Sequence, residues 1–353
     1  MTTRNLLQSY EDWSRNGRSL VLATVYETVG STYSKAGAQM LITDDGRFCG
    51  MLSGGCLEGD LAERAKVVAE SGASQTVTYD LAANDSELWG LGVGCDGLMR
   101  IFLQPLSAEN QYEPFATIAK GLQGDVDEII VTVVASDIDA LKPGATLVSV
   151  NGVDAFSDAP TAFVADFQAA TASISLQNKS SLEKINGDTG AATLLCSRLS
   201  PPPSVLVLGA GLDAEPVVRF AAELGWRVTL QDHRSAYIDA GSFDDAEHVM
   251  CVPVDTVSEK LDLNRFSAAI VMSHHLTSDR QYLAQLADSR IPFVGLLGPS
   301  SRRQKLLGEL GEKAADIEDR LQGPVGIDLG GRGPAAIALS IVAGVQQAML
   351  RAD

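Results

Sequence analysis

The chain has 353 residues, 45% hydrophobic and 20% charged, and its 27 Lys and Arg against 45 Asp and Glu leave a formal net charge of −18. That length favours two cores over one, and the composition is that of a globular protein. Such an acidic balance argues against nucleic acid and anionic membrane surfaces as partners, because phosphate binding needs clustered Lys and Arg.

The opening MTTRNLLQSYEDW lacks the apolar core of a signal peptide, and no apolar run is long enough for a membrane span. Five scattered cysteines (Cys49, Cys56, Cys95, Cys196, Cys251) suit reduced thiols in a cytoplasmic protein better than a disulfide framework.

Leu6, Tyr10 and Trp13 share one helical face, so residues 4–15 read as an opening helix. Ser19–Val29, rich in β-branched residues, reads as a strand. Gln39–Thr43 and Arg47–Leu52 read as a hairpin around Asp44-Asp45-Gly46. Leu57, Leu61, Ala65 and Val68 mark a helix, and strands are expected near 75–80 and 98–104. Residues 107–198 carry no chemistry-bearing motif. Strands at Glu128–Ala135 and Thr146–Val150, with Asn151-Gly152 as a turn, either complete the first sheet or cover an interface.

Three prolines, Pro201, Pro202 and Pro203, make a stiff spacer. We place a first domain at 1–198, the linker at 199–203 and a second domain at 204–353. In the second, strand and helix alternate: 205–208, 213–224, 227–231, 248–252, 268–273, 278–288, 292–297, 302–320 and 334–350. That alternation predicts a doubly wound parallel sheet, giving an α/β chain with an α+β N-terminal domain. Ile337, Ile341, Val345 and Met349 line the last helix. That face either docks a second copy, making a homodimer, or closes its own sheet.

The apolar strand Val205–Leu208 runs into Gly209-Ala210-Gly211-Leu212-Asp213-Ala214, a GxGxxA turn, and the next strand ends at Asp232. Strand before, helix after and an acid at the second strand's end are the elements of a dinucleotide-binding fold of Rossmann type. Gly209, Gly211, Asp213, Ala214 and Asp232 are the candidate contacts for NAD(P) or another adenine nucleotide. Asp213 either opposes a pyrophosphate or caps the helix. His274, after the 268–273 strand, either lines the cleft beyond the strand ends or is a solvated or capping residue.

Two glycine-bearing turns mark the N-terminal domain: Gly30-Ser31-Thr32-Tyr33-Ser34-Lys35-Ala36-Gly37-Ala38 and Ser53-Gly54-Gly55-Cys56-Leu57-Glu58. Glycines let a backbone approach a ligand closely. A cysteine beside a helix N-terminus has its thiolate favoured, although free cysteine is often only a small buried hydrophobe. Cys95 lies in a third such turn, Gly90–Gly97. Cys56 and Cys95 have no histidines nearby at zinc spacing. No GxSxG, HExxH or Walker motif is present.

In these motifs the chain resembles the XdhC/CoxI family, accessory proteins of molybdenum hydroxylases such as xanthine dehydrogenase. The resemblance rests on Gly30-Ser31, Gly37-Ala38, Ser53–Glu58 and Gly92–Gly97, then on Gly209–Ala214, Gly295–Gly298 and Gly323–Arg332. It implies a chaperone that binds molybdenum cofactor, supports its sulfuration with a cysteine desulfurase, and delivers it to the apo-enzyme of a hydroxylase. Cys56 and Cys95 would then lie near the metal end. Gly30, Ser31, Lys35, Ser53, Gly54, Gly55, Glu58 and Gly94 would surround the pterin and its phosphate, and no metal would be bound except through the cofactor. The family often carries an arginine where Ser34 stands; Lys35 keeps one positive charge without the planar fork. The competing reading from another class is an NAD(P)-dependent oxidoreductase with His274 as acid or base. A docking module joining desulfurase to hydroxylase is a third.

Overall fold

The structure is a computed structural model and describes residues 2–80, 97–175, 178–187 and 190–352. The chain divides into two compact units, Met1–Pro201 and Pro202–Asp353.

The first unit opens with α1 (Thr3–Arg15), β1 (Leu20–Val29), β2 (Gln39–Thr43), β3 (Phe48–Cys49), α2 (Glu58–Ser71), β4 (Gln75–Asp80) and β5 (Leu98–Leu106). The five strands form one antiparallel sheet, ordered β3-β2-β1-β5-β4. Side chains alternate across a strand, so β1 serves two cores. Val21, Ala23 and Val25 pack with Leu61, Ala65 and Val68 of α2. Leu20 and Leu22 face the other way, toward Leu6, Phe115, Ile130 and Val148.

Residues 107–199 do not extend that sheet. They build a second antiparallel one from β6 (Glu128–Ser136), β7 (Thr146–Val150), β8 (Val153–Ser157), β9 (Ser180–Gly187) and β10 (Gly190–Leu199), ordered β8-β7-β6-β10-β9. Helices α3 (Phe115–Leu122) and α4 (Val164–Thr171) accompany it. Phe167 and Ala170 of α4 cover Val131, Val133, Leu194 and Cys196. The unit is thus layered as α2, first sheet, second sheet, α4.

The second unit holds β11 (Ser204–Leu208), α5 (Ala214–Glu223), β12 (Arg227–Gln231), α6 (Ser235–Ala240), β13 (His248–Met250) and α7 (Val257–Lys260), then β14 (Ala268–Val271), α8 (Leu276–Ala287), β15 (Val294–Leu296), α9 (Ser300–Leu310), β16 (Leu321–Gln322) and α10 (Pro334–Ala352). All six strands are parallel, ordered β13-β12-β11-β14-β15-β16. Counted within the unit this is 3-2-1-4-5-6, the Rossmann order, whose direction reverses between β11 and β14. Val205, Val207 and Ile270 meet α5 and α10 on one face, and Leu206, Leu208 and Val271 meet α8 on the other.

Three details refine the sequence reading. The helix expected over 302–320 stops at Leu310, where Gly311 turns left-handed at φ 62°. Of the two readings of the last helix, closure of its own sheet holds for Ile341 and Val345 of α10, which are fully buried there, while Ile337 on the same face stays exposed. The strand expected over 248–252 ends at Met250 and leaves Cys251 exposed just beyond it, whereas Cys49 and Cys196 are buried.

Candidate functional site

The two glycine turns of the first unit, far apart in sequence, meet at one end of its first sheet. The 30–38 loop leaves β1 through Gly30 at φ 74° and returns through Gly37 at φ 92°. Gly37 N donates to Val25 O at 2.8 Å, and Val25 N donates to Ala38 O at 2.9 Å, pinning the loop's return. Inside it, Thr32 Oγ1 donates to Ser34 O at 2.8 Å. Ser34 Oγ then donates to Met51 O at 3.3 Å, tying this loop to the approach of the second turn. The exposed ring of Tyr33 covers Gly54, where a Cβ would sit 3.2 Å from the ring. Gly97, the last residue of the third glycine motif, passes so close to the loop that a Cβ on it would lie 2.4 Å from Ser31 O. Gly94 and Cys95 lie outside the described residues.

The second turn is organised from inside by Glu58, the first residue of α2 and almost wholly buried. Its Oε1 accepts from Leu52 N and Ser53 N, both at 2.8 Å. Its Oε2 accepts from Ser53 Oγ at 2.5 Å and Gly55 N at 3.0 Å. Ser53 Oγ also accepts from Leu57 N at 2.8 Å. Burial alone would raise the carboxyl's pKa. The Ser53 hydroxyl and the Ser53 and Leu52 amides outweigh it and hold the group below its usual range.

This changes the parts that Ser53, Gly55 and Glu58 play. The sequence reading turns the Ser53 and Gly55 amides toward a ligand. In the structure they point at Glu58, whose carboxylate is saturated by the protein's own donors. The turn leaves Cys56 half-buried against the α2 core and Gly55 exposed, with no atom within 4 Å of a Cβ position there. Gly54 and Gly55 hold φ of 79° and 106°, conformations that suit glycine. Lys35 is exposed. Among the described residues, no cluster of three or more His, Cys, Asp or Glu could hold a metal ion, and no helix is long and apolar enough to cross a membrane. The Tyr33 contact escapes sequence reading, because an aromatic in a loop carries no periodic signal.

In the second unit the GxGxxA turn has the expected backbone. Gly209 has φ 123° and no room for a Cβ, which would meet Met272 O at 2.6 Å. Ala214 is fully buried at the start of α5. The polar residues are arranged otherwise. The Asp213 carboxylate folds back over Gly211, placing Oδ1 2.8 Å from a Cβ position there, while Oδ2 meets His274 Nε2 at 2.8 Å. His274 itself is held left-handed, at φ 59°. Asp232 is fully buried. Its Oδ2 accepts from Ala210 N at 2.8 Å and Arg234 Nη2 at 2.7 Å, and its Oδ1 from Arg234 N and Nε at 2.9 Å each. Burial opposes ionisation of Asp232, but Arg234 and the Ala210 amide prevail and its pKa is lowered.

A dinucleotide needs open backbone over the second glycine and a free acid at the end of the second strand. Here the first place is filled by Asp213 and His274, and the second is committed to Arg234. The residues as they stand do not fit that cofactor, and Asp232 takes a bracing part rather than the ribose contact read from its position. Arg234 went unnoticed in the sequence, although its spacing two residues past Asp232 was visible.

Comparison with known proteins follows the same division of the chain. The XdhC Rossmann domain matches residues 205–345, and the XdhC and CoxI family matches residues 13–80. A protein of Bacillus subtilis (strain 168), described as a probable subunit of xanthine dehydrogenase, is 28% identical over 344 residues, spanning 94% of this chain and 93% of that one. The molybdenum cofactor insertion chaperone PaoD of Escherichia coli (strain K12) is 31% identical over 103 residues, 29% of this chain and 31% of PaoD. A crystal structure described as a xanthine dehydrogenase from Bacillus halodurans superposes with a TM-score of 0.80 at 26% identity, covering 100% of this chain and 96% of that one. Matched in both units, and aligned with one relative nearly end to end, the chain belongs to the XdhC and CoxI family.

Proposed function

We propose that this protein is an accessory factor of a xanthine dehydrogenase-type molybdenum hydroxylase. It receives a molybdenum cofactor as cargo, holds it while a cysteine desulfurase supplies sulfur, and passes it to the apo-enzyme in the cytoplasm. The observation that carries the reading is the half-buried Cys56 on an open glycine turn, where the 30–38 loop and Gly97 also meet. A thiolate is a soft ligand suited to molybdenum or to a transferred sulfur. Membership of the family, and the resemblance of part of the chain to a cofactor insertion chaperone, support the same role.

In this reading the protein's own residues position rather than transform. Glu58 fixes the turn and so fixes where the Cys56 sulfur lies. Gly55 leaves its surface open to a bulky group, and the Tyr33 ring borders the turn at Gly54. The nucleotide-dependent oxidoreductase gains nothing from the geometry, since Asp213 and His274 fill the seat it requires.

The test is anaerobic retention of molybdenum cofactor by the purified full-length protein, compared with Cys56→Ser and Cys95→Ser. Stoichiometric retention that weakens in Cys56→Ser is expected. Failure of the wild type to retain any cofactor sinks the assignment.

A further inference from the structure

We infer that a second binding place, for a phosphate group, adjoins the Cys56 turn within the first unit. A cavity of about 340 Å³ opens beside the return of the glycine loop, with Gly37 and Met51 in its wall. Those residues also belong to the turn assembly, Gly37 closing the loop and Met51 O accepting from Ser34. The cavity is therefore contiguous with the site already described.

Its chemistry is opposite in sign to the rest of the molecule. The chain carries a net charge of −18, yet the charged residues lining this cavity are Lys179 and Arg198, with no aspartate or glutamate among the lining residues. Backbone pairing sets the two cations side by side, Arg198 N donating to Lys179 O at 2.8 Å. Asp127 takes Arg198 Nε at 2.9 Å and also meets Nη2, which orients the guanidinium. A guanidinium has five donors, so this pairing orients the group without exhausting it. Ser200 and Thr3 add hydroxyls to the wall. An arginine with a lysine beside it, hydroxyls and a glycine backbone form the donor set that takes phosphate oxygens. The volume exceeds that of a lone phosphate, which leaves room for the group esterified to it.

The inference rests on the accessory-factor reading only for the ligand's identity. A phosphorylated cargo would put its phosphate among Lys179 and Arg198 and its soft, metal-bearing end at Cys56.

The experiment is calorimetric titration of the full-length protein at low salt with inorganic phosphate and, separately, ribose 5-phosphate. Variants Lys179→Gln and Arg198→Gln are titrated in parallel, with Arg332→Ala in the other unit as control. Saturable binding that weakens about tenfold or more in either cavity variant, and not in the control, is expected for loss of a charge-assisted hydrogen bond. Tighter binding of the ester assigns the cavity to a phosphorylated ligand, and tighter binding of phosphate to the free anion. Absence of saturable binding up to ~10 mM, or equal affinity in wild type and both variants, overturns the site. If Arg198→Gln fails to fold, the exposed Lys179 still carries the test. Cofactor retention without phosphate binding removes this cavity alone, whereas phosphate binding without cofactor retention removes the accessory-factor reading alone.

Discussion

Ser53 and Glu58 grip each other twice, through Ser53 N to Oε1 at 2.8 Å and Ser53 Oγ to Oε2 at 2.5 Å. With Leu52 N and Gly55 N also on the carboxylate, the shape of the Cys56 turn depends on one buried side chain.

Glu58→Ala should therefore destabilise the first unit by about 3 kcal/mol, since it strands several inward-facing donors. Glu58→Gln should cost less. Urea unfolding followed to the midpoint measures both. Because the folded-state pKa of Glu58 lies below its usual 4.5, its contribution is complete above about pH 4.5 and is lost as pH falls through the folded value. In Glu58→Gln that acid-side dependence should shrink.

Glu128 gives a dependence of the opposite sign. It is fully buried, neither carboxylate oxygen has a hydrogen-bond partner among the described residues, and burial pushes its pKa up to about 8. Below about pH 4.5 the group is protonated folded and unfolded alike, so it adds no pH-dependent cost. As pH rises from there to about 8, only the unfolded chain ionises and stability falls. Relative to wild type, Glu128→Gln should gain several degrees of melting temperature at pH 8 over its value at pH 4.5. Calorimetry at the two pH values checks this, and a pH-independent difference would refute it.

Two glycines should answer oppositely to alanine. At Gly97 a Cβ would meet the backbone oxygen Ser31 O at 2.4 Å, an atom that cannot swing aside as a side-chain end could. Gly97→Ala should cost about 2 kcal/mol or more through strain. Gly59, in the first turn of α2, has open space around it and an ordinary helical φ. Gly59→Ala should stabilise by about 0.5–1 kcal/mol. Thermal denaturation of the two variants separates a steric glycine from a dispensable one.

The second unit should bind nicotinamide dinucleotides weakly. The Asp213 carboxylate lies over Gly211 and pairs with His274 at 2.8 Å, so a pyrophosphate would have to displace a negative charge and break that pair. Titration of wild type with NADH or NADPH should not saturate below the millimolar range. Asp213→Ser, which removes the carboxylate and its pairing with His274, should bind more tightly. Micromolar affinity in the wild type would overturn this account.

The parallel sheet was legible because strands and helices alternate at a regular interval and the first strand, Val205–Leu208, is a wholly apolar run that leads straight into the glycine turn. The second antiparallel sheet was largely hidden. Its edge strand β9 reads Ser-Ser-Leu-Glu-Lys-Ile-Asn-Gly, polar on one face and without the β-branched density that marks β1. At the sites, position was legible and occupation was not. The glycine rule located the turns at 30–38, 53–58 and 209–214, yet spacing cannot say which partner an acid will choose. Glu58 took backbone amides and Asp232 took Arg234, because a buried carboxylate stays ionised only where nearby donors match it.

With the amides of Leu52, Ser53 and Gly55 drawn inward to Glu58, those three donors are spent within the turn and are not offered to an anion. Glu58 thus narrows what the turn can hold without touching it: under the accessory-factor proposal, the grip on a visitor here would rest on the softness of the Cys56 sulfur and not on backbone hydrogen bonds.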